Sequence, residues 1–581
     1  MASTQSVHLG HAEATHVQVA LDRLRAQQFL PRLWDRDPTL WSTDPAVQAS
    51  IRRRLGWLTI SRTMEAEAEP LRRFAEEIRE GGLTWGLLLG MGGSGLFAEV
   101  CRQTLGVSPG ALDLTVLDTT DPTAIRAHQA RGPLQQLLVI VSSKSGSTSE
   151  VSALSAYFHE LLKTVGGPRQ CVAITDAGTA LDQPEARAAS RRTFVHGPGT
   201  GAEVGGRFSA LTYFGLVPAA LMGVDVARFL RHANAMFARC GPAVPLDENP
   251  AAELGALLGA LALGGQDKLT LFCAPALASV GTWLEQLVAE NFGKMGRGIV
   301  PIHGEPLVAP DRYTTDRVFV EFQLATDLDA RLERHVDELV NRGRPVVRIR
   351  WDDRDDLGQE VAKWCMASAV IGGLLEINPF DEPNVTESKD RTKTLLEAYG
   401  RGEGLCEPAP PISSDDAFVV YGSEGFSPSA SLTQCLRELF RRVRPNDYVA
   451  LLSFLPRTPS LDRTMQELRG WLAMQLGQAT MVQFGPRYLH STGQLYKGGP
   501  DAGVFLLFTA AERDDLPIPG ARFTFGVLKH AQALGDFQAM AQRGRRLLHV
   551  HLRSEPGPAM RRVSDAIHDV VASGARTAGR L

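Results

Sequence analysis

Residues 137–150, LLVIVSSKSGSTSE, join a short apolar run to a dense cluster of hydroxyl groups. The first five residues are all Leu, Val or Ile, which is typical of a strand buried on both faces of a sheet. Ser147 and Glu150 are three residues apart, the spacing of a capping box, and apolar residues then recur at helical spacing as far as Leu162. The stretch therefore predicts a buried strand, a polar loop and the start of a helix.

The polar loop predicts a binding site for an anion. A helix start offers unpaired N–H groups and the positive end of the helix dipole. Hydroxyl and ammonium groups surround it, namely those of Ser142, Ser143, Lys144, Ser145, Ser147, Thr148 and Ser149. A turn that only caps the helix would need one or two hydroxyl groups, so we expect a bound phosphate here.

The composition limits the class of protein. The chain has 581 residues, enough for about three domains, and its net charge of −4 gives no indication of a nucleic-acid or membrane partner. No apolar run reaches about 18 residues, and the first residues lack the basic start and apolar core of a signal peptide. The seven cysteines form no CxxC pair and no His/Cys cluster, so we expect buried thiols, no metal site and a cytoplasmic location.

A second loop, residues 90–95, follows a predicted strand and carries four glycines. Because strands continue to alternate with helices, we expect a parallel, doubly wound sheet with its ligand at the carboxyl ends of the strands. The glycines also fit the pattern G-x-G-x-x-G, and Asp118 lies 23 residues beyond Gly95. Taken alone, that pattern predicts a nicotinamide enzyme, but it does not require the hydroxyl cluster of the other loop.

Two charged residues at helix ends are candidates for chemistry. Arg207 precedes an apolar helix, where its charge opposes the helix dipole, so we expect a ligand or carboxylate partner; a surface ion pair is the alternative. Glu290 lies near the end of a predicted helix, where the dipole should raise its pKa and make it a better base. The alternative for Glu290 is a solvated helix end.

A stretch rich in Pro, Gly and Ser separates a third α/β region from the rest. The predicted divisions are an N-terminal helical segment (1–60), a first α/β domain (61–225), a second (226–400), a linker (401–416) and a C-terminal α/β domain (417–581). Within the last, the glycine-rich loop 484–503 carries Arg487, His490 and Lys497. We interpret this loop as a lid over a ligand, with a plain surface loop as the alternative.

Six motifs together resemble a known family. Residues 89–95 and 141–150 resemble the phosphate-binding elements of sugar isomerase (SIS) domains. The motifs VGGRFS (204–209), AENFGK (289–294), HGEP (303–306) and NPFDEPNVTESK (378–389) resemble, in order, signatures of glucose-6-phosphate isomerases. The linker and third region resemble the phosphoglucose isomerase half of fused transaldolase/phosphoglucose isomerase proteins.

The resemblance implies two doubly wound SIS domains and an isomerase of glucose 6-phosphate and fructose 6-phosphate that needs no metal or redox cofactor. It implies that Glu290 moves the proton, that Arg207 stabilises an enediolate and that Lys389 lies near the ring oxygen. The residues implied in substrate binding are Gly92, Gly93, Ser94, Ser143, Lys144, Ser145, Thr148 and Glu382. A sugar phosphate is the expected partner. A homodimer and a functional link to a transaldolase are also compatible with the resemblance.

The chain departs from the family pattern at two places. Glu382 stands where the family has Gln, and the stretch expected to carry the ring-opening histidine is YTTDR, which ends at Arg317. An arginine stays protonated and cannot act as a base. We therefore hypothesise that the third region folds over the sugar site and supplies His490, the alternative being a loop histidine bonded to Ser491 or Thr492. Glu305 is the next candidate for the base after Glu290.

Two other classes of function stay open at this stage. A non-catalytic double-SIS regulator would keep the serine-rich loop but would need neither Arg207 nor Glu290. A nicotinamide-dependent dehydrogenase would use the glycine loop and Asp118.

Overall fold

The computed structural model describes residues 3–405, 407 and 410–578, so Cys406 lies outside the described residues. The strands are β1 (Thr4–His8), β2 (Trp85–Leu89), β3 (Asp113–Leu117), β4 (Leu137–Ser142), β5 (Cys171–Asp176), β6 (Arg192–His196), β7 (Lys268–Cys273), β8 (Val300–His303), β9 (Arg317–Leu324), β10 (Val346–Trp351), β11 (Ser413–Ser414), β12 (Phe418–Gly422), β13 (Tyr448–Ser453), β14 (Ala479–Phe484), β15 (Gly503–Ala510) and β16 (Arg546–Leu552).

The α-helices are α1 (His11–Ala26), α2 (Phe29–Trp34), α3 (Pro45–Arg52), α4 (Ile60–Met64), α5 (Ala68–Glu80), α6 (Leu96–Thr104), α7 (Pro122–Gln129), α8 (Ser149–Leu162), α9 (Pro184–Ala188), α10 (Tyr213–Leu221), α11 (Val226–Arg239), α12 (Pro250–Leu263), α13 (Ala278–Phe292), α14 (Ala330–Asn341), α15 (Leu357–Leu375), α16 (Val385–Gly400), α17 (Leu432–Arg441), α18 (Pro459–Leu476), α19 (Gly493–Gly498), α20 (Phe525–Gln542) and α21 (Pro556–Ala578). Among the described helices, none combines the length and the apolar character needed to cross a membrane.

The first sheet is parallel, with strand order β3-β2-β4-β5-β6. Every residue of β2 and β4 is buried, which explains their uninterrupted apolar sequences. The strand order reverses between β2 and β4, and Leu89 pairs with Val141 at their carboxyl ends. The glycine loop and the serine-rich loop therefore leave the sheet side by side at the point where doubly wound sheets bind ligands.

The second sheet contains the parallel strands β10-β9-β7-β8 and takes β1 as an antiparallel edge strand beside β10. The prediction of a helical segment over residues 1–60 is therefore wrong at its start. Residues 4–8 are TQSVH, in which Val7 pairs with Val347 and packs against the main core. The strand covers an edge of β10 that would otherwise leave its backbone groups unpaired.

The third sheet has the order β11-β12-β16-β15-β13-β14, in which the last four strands are parallel to one another. The predicted linker, residues 401–416, ends in the short strand β11 rather than remaining irregular throughout. With two doubly wound parallel sheets and a third α/β region, the predicted fold class is confirmed. The described cysteines are free thiols, buried except for the half-buried Cys273.

The third region shares hydrophobic cores with both preceding domains. One core joins Val300 and Ile302 of β8 to Tyr448 and Phe505 of the third sheet. Another core joins Val141 of the first sheet to apolar residues at the start of α20. The region is thus packed against both domains over apolar surface, which fixes the loops that it places beside them.

A buried ion pair ties the second sheet to the third. Arg317 and Glu305 have side chains that are each 1% exposed, and Arg317 Nη1 donates to Glu305 Oε2 at 2.8 Å. The other carboxylate oxygen, Oε1, accepts from the backbone N–H of Thr480 on β14 at 2.8 Å. Arg317 and Glu305 therefore connect two domains, and neither is available for acid or base chemistry.

Replacing Glu305 by Ala should strongly destabilise the protein, because Arg317 would keep a buried charge without its partner. We expect a loss of about 3–5 kcal/mol in the free energy of unfolding, measured by chemical denaturation. The control is Glu338→Ala, which removes the exposed partner of Arg342 and should cost about 1 kcal/mol or less. Equal losses in the two variants would contradict this account of the domain contact.

Candidate active site

The serine-rich loop is held against the glycine loop by a hydrogen bond of 2.6 Å from Ser142 Oγ to the carbonyl oxygen of Ser94. Beyond it, the hydroxyl groups of Ser143 and Thr148 are 3.2 Å apart, and α8 begins directly after Thr148. Ser145 is exposed on the same loop. The expected groups for phosphate binding thus gather at one helix start.

The capping box predicted from Ser147 and Glu150 is not formed. Thr148 occupies the capping position of α8 without a side-chain bond to the backbone, so the first turn keeps free N–H groups. The carboxylate of Glu150 instead accepts hydrogen bonds from His490 and Gln532 of the third region. A long-range partner has taken the place of the local one.

Lys144 forms an ion pair of 2.6 Å with Asp176 at the end of β5. Its side chain is 27% exposed and lines a cavity of about 380 Å³ together with Arg53, Arg54 and Glu382. This cavity lies between the serine-rich loop and the backbone of Gly206, and it carries more basic than acidic groups. A phosphorylated ligand would therefore meet a favourable potential at this opening.

The glycines of residues 90–95 allow two protein segments to approach closely. A Cβ atom on Gly93 would overlap the carbonyl oxygen of Gly206. Gly92 has a φ of +52°, and a Cβ atom there would lie 2.7 Å from the carbonyl oxygen of His490. The close approach of Gly206 and His490 therefore explains why glycine stands at these two positions without a dinucleotide pyrophosphate.

Arg207 lies in a 3₁₀ turn, Gly206–Leu211, and its side chain is 1% exposed. Nε donates to Asn291 Oδ1, and Nη1 donates to Glu290 Oε2 at 3.2 Å and to Glu382 Oε2 at 2.9 Å. Nη2 donates to the carbonyl oxygens of Pro379 and Asp381 at 2.7 and 2.8 Å. The carboxylate partner expected for Arg207 is therefore present twice, and a surface ion pair is excluded.

Glu290 lies near the end of α13 and is 7% exposed. Burial raises its pKa above the ordinary value of 4.5, although Arg207 and Gln286 act in the opposite direction. The direction agrees with the expectation, but burial rather than the helix dipole is the principal cause. A carboxylate that is ionised yet weakly solvated is suited to accept a proton.

Gln286 joins Glu290 to the third region. Its Nε2 group donates at 3.0 Å both to Glu290 Oε1 and to the carbonyl oxygen of His490. His490 Nε2 in turn is 2.8 Å from Glu150 Oε1, and the hydrogen bonds of the described residues leave Nδ1 unengaged. Burial would raise the pKa of Glu150, but His490 and the other donors hold it at about 2, so the pair contains a carboxylate.

Lys294, four residues after Glu290, holds the segment that carries Glu382. Its ammonium group donates to the carbonyl oxygen of Asn378 at 2.8 Å and to the carboxylate of Asp381 at 2.8 Å. Burial and the nearby Arg207 lower the pKa of Lys294 to about 7. Lys389 is different: it is exposed on α16, so the structure does not bring it to the buried residues around Arg207.

Three contributors to the site were missed at the sequence level: Arg54, Gln286 and Glu150 as the partner of His490. Arg54 is the last of three adjacent arginines in the N-terminal segment, and nothing in the sequence distinguishes it from the other two. Gln286 stands one helical turn before Glu290, so its spacing was the one available signal. Nothing local in the sequence indicates the contact between Glu150 and His490.

Comparison with known proteins finds relatives that match somewhat more than half of the chain. A protein of Natronomonas pharaonis described as probable glucose-6-phosphate isomerase is 30% identical over 349 residues, which cover 53% of this chain and 78% of that protein. Another so described, from Haloarcula marismortui, is 28% identical over 373 residues, 56% of this chain and 79% of that protein. No family model matches the chain.

Solved structures are similar in fold. The crystal structure of a glucose-6-phosphate isomerase from Chlamydia trachomatis has a TM-score of 0.51 at 20% identity, covering 64% of this chain and 78% of that one. A hypothetical protein from Thermus thermophilus has a TM-score of 0.55 at 23% identity, covering 67% of this chain and 99% of that one. At these identities the likeness concerns the fold alone.

The close approach at Gly93 can be tested by a pair of alanine variants. Gly93→Ala should lower the free energy of unfolding by roughly 1–3 kcal/mol, because its methyl group must displace the backbone of Gly206. Gly206→Ala is the control, since a Cβ atom there meets no neighbour within 4 Å. Thermal unfolding of both variants measures the difference, and equal stability would refute the explanation of the glycine pattern.

Proposed function

This chain belongs to the glucose-6-phosphate isomerase family, and we propose that it interconverts glucose 6-phosphate and fructose 6-phosphate through an enediolate intermediate. The observation that carries the proposal is the contact between Glu290 and Arg207, a buried base and a fixed cation 3.2 Å apart. They lie beside the glycine and serine-rich loops, whose free donors suit a sugar phosphate. The order of motifs that this chain shares with the family supports the same conclusion.

In the proposed reaction Glu290 accepts the proton from C2 of the open-chain aldose. The electron pair of the broken C–H bond forms the C1–C2 double bond, and negative charge appears on the enediolate oxygens. Because Glu290 becomes neutral in the same step, the charge opposite Arg207 moves from the carboxylate to the substrate. A proton then passes from O2 to O1, and Glu290 returns its proton to C1, which leaves a carbonyl group at C2 and completes the isomerisation without net oxidation or reduction.

We assign phosphate binding to the start of α8, with Ser143, Ser145 and Thr148 as donors and Lys144 as the adjacent cation. The side chain of Lys144 is partly exposed and lines the cavity, and Asp176 forms an ion pair with its ammonium group. Ser94 with the backbone of Gly92 and Gly93 would border the sugar. Hydrogen bonds to an ionised phosphate are among the stronger ones in proteins.

Ring opening is assigned to His490, which the third region places against the glycine loop. Glu150 Oε1 fixes its Nε2 atom and leaves Nδ1 as the group for proton exchange with the ring oxygen. This assignment replaces the family histidine at the YTTDR stretch, where Arg317 is bound to Glu305. Lys389 is exposed, so we leave it out of the ring-opening step.

The proposal also includes a homodimer and a functional link to a transaldolase, which follow from the resemblance, and a cytoplasmic location, which the free thiols of the described cysteines support. A non-catalytic regulator would have no use for a buried base held against Arg207. A dehydrogenase would not need the serine-rich loop, and the close approach of Gly206 and His490 already accounts for the glycines. We therefore keep the isomerase as the single proposed activity.

The central assay adds fructose 6-phosphate and measures glucose 6-phosphate. Glu290→Gln should lower kcat by roughly 10²–10⁴-fold, because the amide cannot accept the C2 proton. In the unaltered protein, kcat/KM should fall at acidic pH along a limb that lies above pH 4.5, since burial raises the pKa of Glu290 and protonation removes the base.

The matched control is Glu285→Gln, which changes another buried carboxylate of α13. Burial raises the pKa of Glu285 to about 7, but its neighbours are Gln483, Arg469 and Arg487 of the third region rather than Arg207. Its kcat should stay within roughly threefold of the unaltered protein. Full turnover by Glu290→Gln would place the base elsewhere, and an inactive unaltered protein would refute the isomerase proposal.

If His490 opens the sugar ring, the loss of activity on removing it should depend on whether the substrate is cyclic or acyclic. His490→Ala should lower kcat at least about tenfold on cyclic glucose 6-phosphate and much less on an acyclic aldose phosphate, which needs no ring opening. His530→Ala is the control, since this histidine of the same region faces Glu407 instead. Equal effects of His490→Ala on both substrates would exclude a ring-opening role.

A further inference from the structure

The charge balance around Arg207 is unusual for a site that must stabilise an anion. The same atom of Arg207, Nη1, contacts the carboxylates of both Glu290 and Glu382. The family pattern has an uncharged Gln at the position of Glu382. A second fixed carboxylate beside Arg207 would repel the enediolate that forms there, unless another cation compensates it.

Arg54 is positioned to be that cation. Its Nη1 group donates to both carboxylate oxygens of Glu382, at 2.9 and 3.2 Å, and to the carbonyl oxygen of Phe380. Burial would raise the pKa of Glu382, but Arg207 and Arg54 together hold it at about 2. Glu382 is therefore ionised, and it bridges two guanidinium groups from distant parts of the chain.

We propose that Arg54 is a positioning residue of the isomerase, the counter-ion that allows Glu382 to replace a neutral glutamine. This inference rests on the proposed function. With Arg54 and Arg207 opposite Glu290 and Glu382, the cluster is neutral before the reaction, and one positive charge faces each carboxylate. Arg207 can then act on the enediolate while Arg54 balances Glu382.

Without Arg54, Arg207 is the only cation of the described residues that contacts Glu382, so it stabilises negative charge on the substrate less strongly. The cluster also gains a net negative charge beside Glu290. Glu382 already acts to raise the pKa of Glu290. Without Arg54 this effect should grow, so the protonated, inactive form of Glu290 should persist to higher pH. Two measurable quantities should therefore change together, kcat and the acidic limb of the pH profile.

The experiment is a double-mutant cycle with Arg54→Gln, Glu382→Gln and the combined variant, assayed on fructose 6-phosphate across pH. Arg54→Gln should lower kcat at least about tenfold and move the acidic limb of kcat/KM to higher pH. In the Glu382→Gln background, the same Arg54→Gln change should alter kcat by less than roughly threefold and leave the limb in place. Arg54→Lys should recover part of the activity by restoring the charge.

Arg53→Gln is the matched control, because Arg53 lines the same cavity, while the hydrogen bonds of the described residues include none from it to Glu382. Its effect should be the same in both backgrounds. If Arg54→Gln is equally harmful with Glu382 and with Gln at that position, Arg54 acts by holding the N-terminal segment, and the inference is wrong. If the unaltered protein lacks isomerase activity, the proposed function fails, and the inference that rests on it fails too.

Discussion

The guanidinium group of Arg207 is the constraint on which the site depends. It has five N–H donors, and the protein satisfies all of them with Glu290, Asn291, Glu382 and two backbone carbonyl groups. A buried guanidinium that lost these partners would be strongly unfavourable. Three segments must therefore keep their relative positions: the end of α13, the turn at Gly206–Leu211 and residues 378–382. Together they hold Glu290, the proposed base, beside Arg207.

The third region is bound into this arrangement through polar groups that are expensive to leave unpaired. The carbonyl oxygen of His490 accepts from Gln286, its ring meets Glu150, and Lys529 of α20 donates to Asp121 of the first domain at 2.8 Å. Glu150 is 3% exposed and carries its charge because donors surround it. The region therefore forms one wall of the site rather than an attachment at the end of the chain.

Periodicity predicted the sheets well, because strands buried on both faces, such as β2 and β4, have few alternatives to an apolar sequence. The strand at residues 4–8 was missed, since its partner β10 lies more than 300 residues away and five residues carry too little pattern. At the site, Arg207 and Glu290 could be singled out from helix-end electrostatics and family motifs. The contact between Glu150 and His490 could not be predicted. A glutamate at this position suits a local capping box as well as it suits a distant histidine, so the sequence does not distinguish the two.

The glycine pattern of residues 90–95 shows why a motif needs its structural surroundings. Glycine is required wherever backbone must approach closely, and the pattern does not say whether the approaching group is a pyrophosphate or another part of the protein. Here the carbonyl groups of Gly206 and His490 fill the space. The first belongs to the turn that carries Arg207 and the second to the loop that carries the proposed ring-opening group. The missing side chains of the glycines thus allow the segments that carry Arg207 and His490 to reach the same end of the first sheet.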